Sequence, residues 1–154
     1  MILRMVCLAT SAALAHAAMA ELPAKSPLTL RATDPQLKWG PCPPIFSGDC
    51  AITVLHGDPA KPNADIFLRI GAGTALPIHR HTSAERMMLV SGRLRIEYRG
   101  AQPRTLARGD YAYGPAGLAH SASCLGKQSC TLFIAFEGPV DAELDGDGNH
   151  WRGM

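Results

Sequence analysis

The sequence predicts an all-β domain, either a sandwich or a small barrel, on three observations. From Ala51 onward, short apolar alternations follow one another; Gly and Pro turns separate them; and no window of about a dozen residues there holds a helical period. The alternations are AITVL (51–55), DIFLRI (65–70), RMMLVS (86–91), RLRIEY (93–98), RTLA (104–107), DYAYG (110–114), AHSASC (119–124) and CTLFIAF (130–136), each reading as a strand.

The flanks of this region differ in composition. Residues 1–20 carry Arg4, an alanine-rich apolar run and then Ala18-Met19-Ala20 ahead of Glu21, the pattern of a cleaved secretory signal peptide. The run is short for a membrane span, which needs about 20 apolar residues; a retained anchor is the alternative reading. Residues 21–50 are proline-rich and read as an extended segment packed on the barrel, anchored by Trp39 and Phe46. Residues 138–154 are acidic and glycine-rich and read as a flexible tail. Asp145-x-Asp147-x-Asn149 begins like a calcium loop, but His150 stands where that loop needs glycine, so calcium is discounted.

Charge and cysteine content limit function. With 15 Lys+Arg against 13 Asp+Glu, nothing is basic enough to suggest nucleic acid or an anionic membrane surface as partner. Arg93, Arg95 and Arg99 alternate with Leu94, Ile96 and Tyr98, which reads as the solvated face of a strand. Cys7 lies in the leader; the other four cysteines form two local pairs, Cys42 with Cys50 and Cys124 with Cys130. Four cysteines allow three connectivities. The local pairs are favoured because each closes a short loop containing Gly or Pro, and the competing zinc site lacks C-x2-C spacing.

The stretch GTALPIHRHTSAERMMLVSG (73–92) carries the chemistry. Residues i and i+2 of a strand share a face, so His79 and His81 project together if PIHRH is extended. Glu85 lies far enough along for the chain to turn and bring a carboxylate back toward them. Two readings remain open on this stretch alone: a metal-ligand set, or surface histidines beside a surface glutamate.

A second stretch, GDYAYGPAGLAHSASC (109–124), weighs toward metal. Together, Gly73-x5-His79-x-His81-x3-Glu85-x6-Gly92 and Gly109-x5-Pro115-x-Gly117-x2-His120 resemble the two motifs of the cupin superfamily. One position departs: Cys124 stands where the second motif usually has Asn. The wider pattern resembles a group of exported cupin-domain proteins related to the cupin half of ChrR-type anti-sigma factors. The resemblance implies a double-stranded β-helix, a jelly-roll barrel, over residues 51–137. It also implies one divalent ion (Fe, Mn, Zn or Cu) held by His79, His81, Glu85 and His120.

An open divalent site in an apolar barrel fits a metal-dependent enzyme acting on a small organic molecule, dioxygenase-like or isomerase/lyase-like. A non-catalytic binding or sensing protein is the alternative, and a purely structural metal is the third class. Met87, Leu89, Tyr113 and Phe133 are candidate cavity-lining residues, with Tyr113 a candidate hydrogen-bond donor or acid. Arg86 should point away from the lumen. Cys124 is expected to bond to Cys130 rather than remain a thiol beside a metal. The protein is expected to be periplasmic or secreted, and a homodimer on the resemblance alone.

Overall fold

The structure, a computed structural model, describes residues 27–146. The expected leader at 1–20 lies outside them, as do Asp147, Asn149 and His150. The strands are β1 (Gly40–Pro41), β2 (Cys50–His56), β3 (Asp65–Ile70), β4 (Ala75–Arg80), β5 (Glu85–Ser91), β6 (Leu94–Tyr98), β7 (Arg104–Leu106), β8 (Tyr111–Gly114), β9 (His120–Cys124), β10 (Cys130–Phe136) and β11 (Glu143–Leu144). No described residue is helical. The alternations noted above all become strands, with ends moved by a residue or two. The bridges β1 and β11 are too short to leave a periodic signal.

The strands form two antiparallel sheets, ordered β1-β2-β3-β10-β5-β8 and β11-β4-β9-β6-β7. Chain neighbours such as β4 and β5 lie in different sheets, so the chain crosses the core repeatedly and the fold is an all-β jelly roll. Alternation places Met87 and Leu89 of β5, Leu94 and Ile96 of β6, and Leu132 and Ile134 of β10 in the shared core. Full burial of each such side chain contributes about 1.5–3 kcal/mol.

Both local disulfides are present, Cys42–Cys50 and Cys124–Cys130. The second joins β9 to β10 with both cysteines fully buried in the core. Changing both to Ala is expected to cost about 2–5 kcal/mol, measured as the shift of a denaturant midpoint without reductant. Gly92 permits the β5–β6 turn beside this bond. Its φ is 87°, and a Cβ there would lie 2.8 Å from the Ser129 carbonyl and 2.9 Å from Cys130 Sγ.

The tail departs from expectation. Up to Gly146 it is an ordered strap: β11 pairs with β4, Glu143 opposite Arg80 and Leu144 opposite His79. Asp145 is buried and contacts both Arg80 and Arg99. Its acids therefore have fixed cationic partners far away in sequence, which composition does not show. The proline-rich flank adds a strand of its own, with Gly40 opposite Ile52.

Candidate metal centre

His79 and His120 are cross-strand partners on β4 and β9. A bulge between Leu76 and His79 shifts the inward face of β4 by one residue, so Leu76 and His79 both reach the cavity. His81 follows just past the end of β4. Glu85 opens β5 in the opposite sheet, so the site lies between the sheets at one end of the barrel. All four side chains are buried. The ligand atoms of the three imidazoles lie within 4.8 Å of one another. The Glu85 carboxylate is 3.2 Å from His120 Nε2 and 3.6 Å from His81 Nε2.

Each imidazole is oriented through its far nitrogen. Nδ1 of His79 donates to the Pro77 carbonyl at 2.7 Å, Nδ1 of His120 to the Leu118 carbonyl at 3.1 Å, and Nδ1 of His81 to the Asp141 carbonyl. A carbonyl only accepts, so all three protons sit on Nδ1 and all three Nε2 lone pairs are free. Burial, then the neighbouring imidazole, holds His79 down at about 3 and His120 at about 4; burial also lowers His81. The three rings are therefore neutral bases at physiological pH.

Glu85 is the counterpart. Burial raises its carboxyl to about 8, and its Oε1 is buried with no hydrogen-bond partner among the described residues. Gly114 leaves it room: a Cβ there would lie 2.7 Å from Oε1. Three neutral donors facing an unpartnered buried carboxylate form a site that a divalent cation fits, with imidazole suiting Zn, Cu and Fe. Supporting carbonyls behind each ring fix orientation, as is usual for metal-bound histidine.

The site opens on a cavity of about 50 Å³ whose walls include Ile52, Leu68, Met87, Ile96 and Ile134, with no Lys or Arg among its lining residues. Two flanks close its mouth. Phe46, on the loop held by Cys42–Cys50, packs edge-on against His79 with ring centroids 4.7 Å apart. Val140, Asp141 and Ala142 border it from the other side, and the Asp141 carboxylate is held by the Thr82 backbone N–H and hydroxyl. Phe46→Ala is expected to widen the mouth, cost about 1–3 kcal/mol and speed metal loss to a chelator, read by competition with a chromogenic chelator.

Three of the four expected lining residues, Tyr113, Phe133 and Leu89, are corrected. Tyr113 is 48% exposed. Gly114 and Ala112 take the inward positions of β8, so Tyr111 and Tyr113 face outward, and Tyr113 lies opposite Arg86. Phe133 is also on the outer face, between Met88 of β5 and Phe67 of β3, because Leu132, Ile134 and Phe136 take the inward parity. Met87 does line the cavity. Leu89 shares its face but is packed wholly within the core. Arg86 is exposed and paired with Glu137 at 2.7 Å.

Tyr98 was not singled out from sequence, although it continues the Leu94–Ile96 alternation. It lies opposite His120 with ring centroids 5.4 Å apart. Its hydroxyl is buried with no partner among the described residues, and burial, with Glu85 adding, raises its pKa.

A jelly roll with three histidines and a glutamate gathered between its sheets at one end is a cupin. Within that superfamily the chain belongs to the ChrR cupin-like domain family, whose profile matches residues 30–141. No curated protein sequence matches it. Solved structures with the same fold include the DMSP lyases RdDddP and RnDddQII (20% identity, TM-score 0.62, covering 71% of this chain and 62% of that one). DMSP lyase DddQ from Ruegeria pomeroyi DSS-3 is similar too (19%, TM-score 0.60, 77% and 64%). So is the cupin-2 domain Rru_A2000 from Rhodospirillum rubrum (16%, TM-score 0.62, 79% and 84%). The chain spans less than two thirds of either lyase chain. At these identities the likeness concerns fold alone.

Proposed function

We propose that this cupin is a mononuclear metal-dependent enzyme that oxidises a small organic molecule, in the manner of a dioxygenase. The observation that carries the reading is the set of three free Nε2 lone pairs and an unpartnered carboxylate opening on a small apolar cavity. His79, His81, Glu85 and His120 would hold the ion, which as a redox-active metal supplies Lewis acidity and electron transfer. The chain's own groups orient and exclude water. The aliphatic walls strip solvent from a substrate, and Phe46 shields the mouth. With no Lys or Arg in the lining and the Asp141 carboxylate held by Thr82, a substrate's polar group meets chiefly the metal centre.

Acid–base chemistry has few candidates there. Apart from the four metal-centre residues, the lining offers only Asp141, whose carboxylate is engaged by Thr82. That scarcity favours oxidation over proton abstraction. The isomerase/lyase reading rests on Tyr98, whose ring lies beside His120 and whose buried hydroxyl has no partner among the described residues.

The test is oxygen uptake and product mass spectrometry with protein loaded separately with Fe(II), Mn(II), Cu(II) and Zn(II) against a panel of small carbonyl and enol compounds. Oxygen consumption with one redox-active ion supports the reading. Product without oxygen uptake, lost in Tyr98→Phe, favours the lyase class. Saturable binding without product leaves a non-catalytic binding protein.

Export and dimerisation complete the proposal. Two disulfides fit an oxidising compartment, and the leader-like residues 1–20 fit cleavage before Glu21; mass spectrometry of the exported N-terminus checks this. Met88, Tyr111 and Tyr113 are exposed together beside the edge strand β8, a surface that suits a second copy, which light scattering would detect.

A further inference from the structure

We propose that the end of the barrel opposite the metal centre is a docking groove for an acidic, partly apolar peptide segment of another protein. Lys61, Arg80, Arg86, Arg95 and Arg99 each lie against a carboxylate. Arg31, Arg69, Arg93, Arg108 and Lys127 have no carboxylate partner among the described residues, and all five line one groove. That lining contains no Asp or Glu. A near-neutral chain has thus gathered in one place most of the unpaired cations among its described residues.

Topology explains how. Strands β3, β10, β5 and β8 are consecutive in their sheet. At the end away from Glu85, β3 and β5 finish and β10 and β8 begin. Arg69 lies opposite Thr131, and Thr131 opposite Ser91. Arg93 follows β5, Lys127 precedes β10 and Arg108 precedes β8, so each of four neighbouring strands brings a cation to the same rim. At about 4.8 Å per strand the row is about 14 Å long, the span of roughly four extended residues.

The cations sit on fixed backbone. The guanidinium of Arg69 lies 3.8 Å over the Trp39 ring. Cys124–Cys130 ties down the loop that carries Lys127, and Leu125 N–H donates to the Arg93 carbonyl at 2.8 Å. Such preorganisation lowers the ordering cost of binding.

The groove's chemistry selects among polyanions. Four of its five cations are arginines, whose forks match carboxylates, and Leu30, Val90 and Leu125 lie between them. An acidic peptide with interspersed apolar side chains matches both features. Its only aromatic lining residue, Phe67, is 7% exposed, so no open ring offers a base a stacking platform. The described residues do not supply the occupant. Their most acidic stretch is engaged at the other end, Asp141 by Thr82, Glu143 by Arg80 and Asp145 by Arg80 and Arg99. Residues 147–154 carry one Asp against one Arg.

The experiment is fluorescence anisotropy of the full folded protein with a labelled Glu-rich peptide of about ten residues containing leucines, long enough to overrun the row. The result expected is saturable binding that weakens with added salt. It falls about tenfold or more in Arg93→Ala/Arg108→Ala/Lys127→Ala, and changes less than about twofold in Lys38→Ala/Arg104→Ala, which removes cations outside the groove. Lys127→Glu alone, at an exposed loop position, gives a loss in the same direction, and all variants keep wild-type metal content. Absence of saturable binding, or equal loss in the Lys38/Arg104 variant, overturns the proposal. Tighter binding of a single-stranded oligonucleotide or a phosphatidylglycerol vesicle, with the same variant dependence, also overturns it.

Discussion

Protein carrying His79→Ala and His120→Ala together is expected to fold, keep both disulfides and bind no metal where the wild type holds about one equivalent. The two imidazoles face each other across β4 and β9, so the pair removes half of the proposed ligand set from one wall. His81 and Glu85 remain, and two donors from opposite sheets do not chelate a single ion tightly. Loss of a hydrogen bond behind one metal-bound histidine already costs about 10–100-fold in affinity, and loss of two ligands exceeds that. Elemental analysis alongside circular dichroism decides the matter. Unchanged metal content in a folded double variant would place the ion elsewhere and remove the basis of the enzymatic reading.

The second large effect concerns Glu85→Gln, which should bind metal poorly yet make the metal-free protein more stable at alkaline pH. Glu85 has a folded-state pKa of about 8 against an ordinary 4.5. Between those values the folded protein holds a proton that the unfolded chain has released. Stability of the metal-free protein therefore falls as pH rises through that window. The histidines act oppositely: with His79 at about 3 and His120 at about 4 against 6.5, the unfolded chain binds more protons below 6.5, so stability rises with pH there. The metal-free protein should thus be most stable near pH 6.5 and decline toward 8, with one proton worth about 1.4 kcal/mol per pH unit. Glu85→Gln abolishes the alkaline decline. Saturating metal abolishes it in the wild type, because the ionised carboxylate then has its cation. Denaturant midpoints across pH, with chelator and with metal, measure all three curves. An alkaline decline that persists in Glu85→Gln would assign it to another group.

Much of this was legible in the sequence because its causes are local. Period-two alternation set the strands, and the resemblance of two spaced motifs to the cupin pattern implied that His79, His81, Glu85 and His120 would meet. The two cysteine pairs were legible for the same reason, each closing a short loop. What escaped was decided by parity and by distant partners. Tyr113 and Phe133 turned outward because Gly114 had to make room for Glu85 and because Leu132, Ile134 and Phe136 claimed the inward positions of β10. Tyr98 shares the inward parity of Leu94 and Ile96, but its place opposite His120 comes from a cross-strand register that its own strand does not encode. Asp141 and Asp145 looked like solvated acids, and only the return of the chain past β4 shows them holding Thr82, Arg80 and Arg99. No spacing rule links Phe46 to His79, thirty-three positions apart in the numbering.

The mouth of the cavity is sewn from the two flanks of the barrel, one tethered by Cys42–Cys50 and the other by the carboxylates of Asp141 and Asp145. Capture of an ion by this site would therefore be tied to the order of assembly. A chain that meets its metal before the first tether oxidises takes it through an open port; one that oxidises first must exchange through a port that opens only when a strap lifts. Occupancy in the finished protein would then record which ions were present during maturation, in addition to which one binds most tightly, and mild reductant should hasten ion exchange without unfolding the sheets.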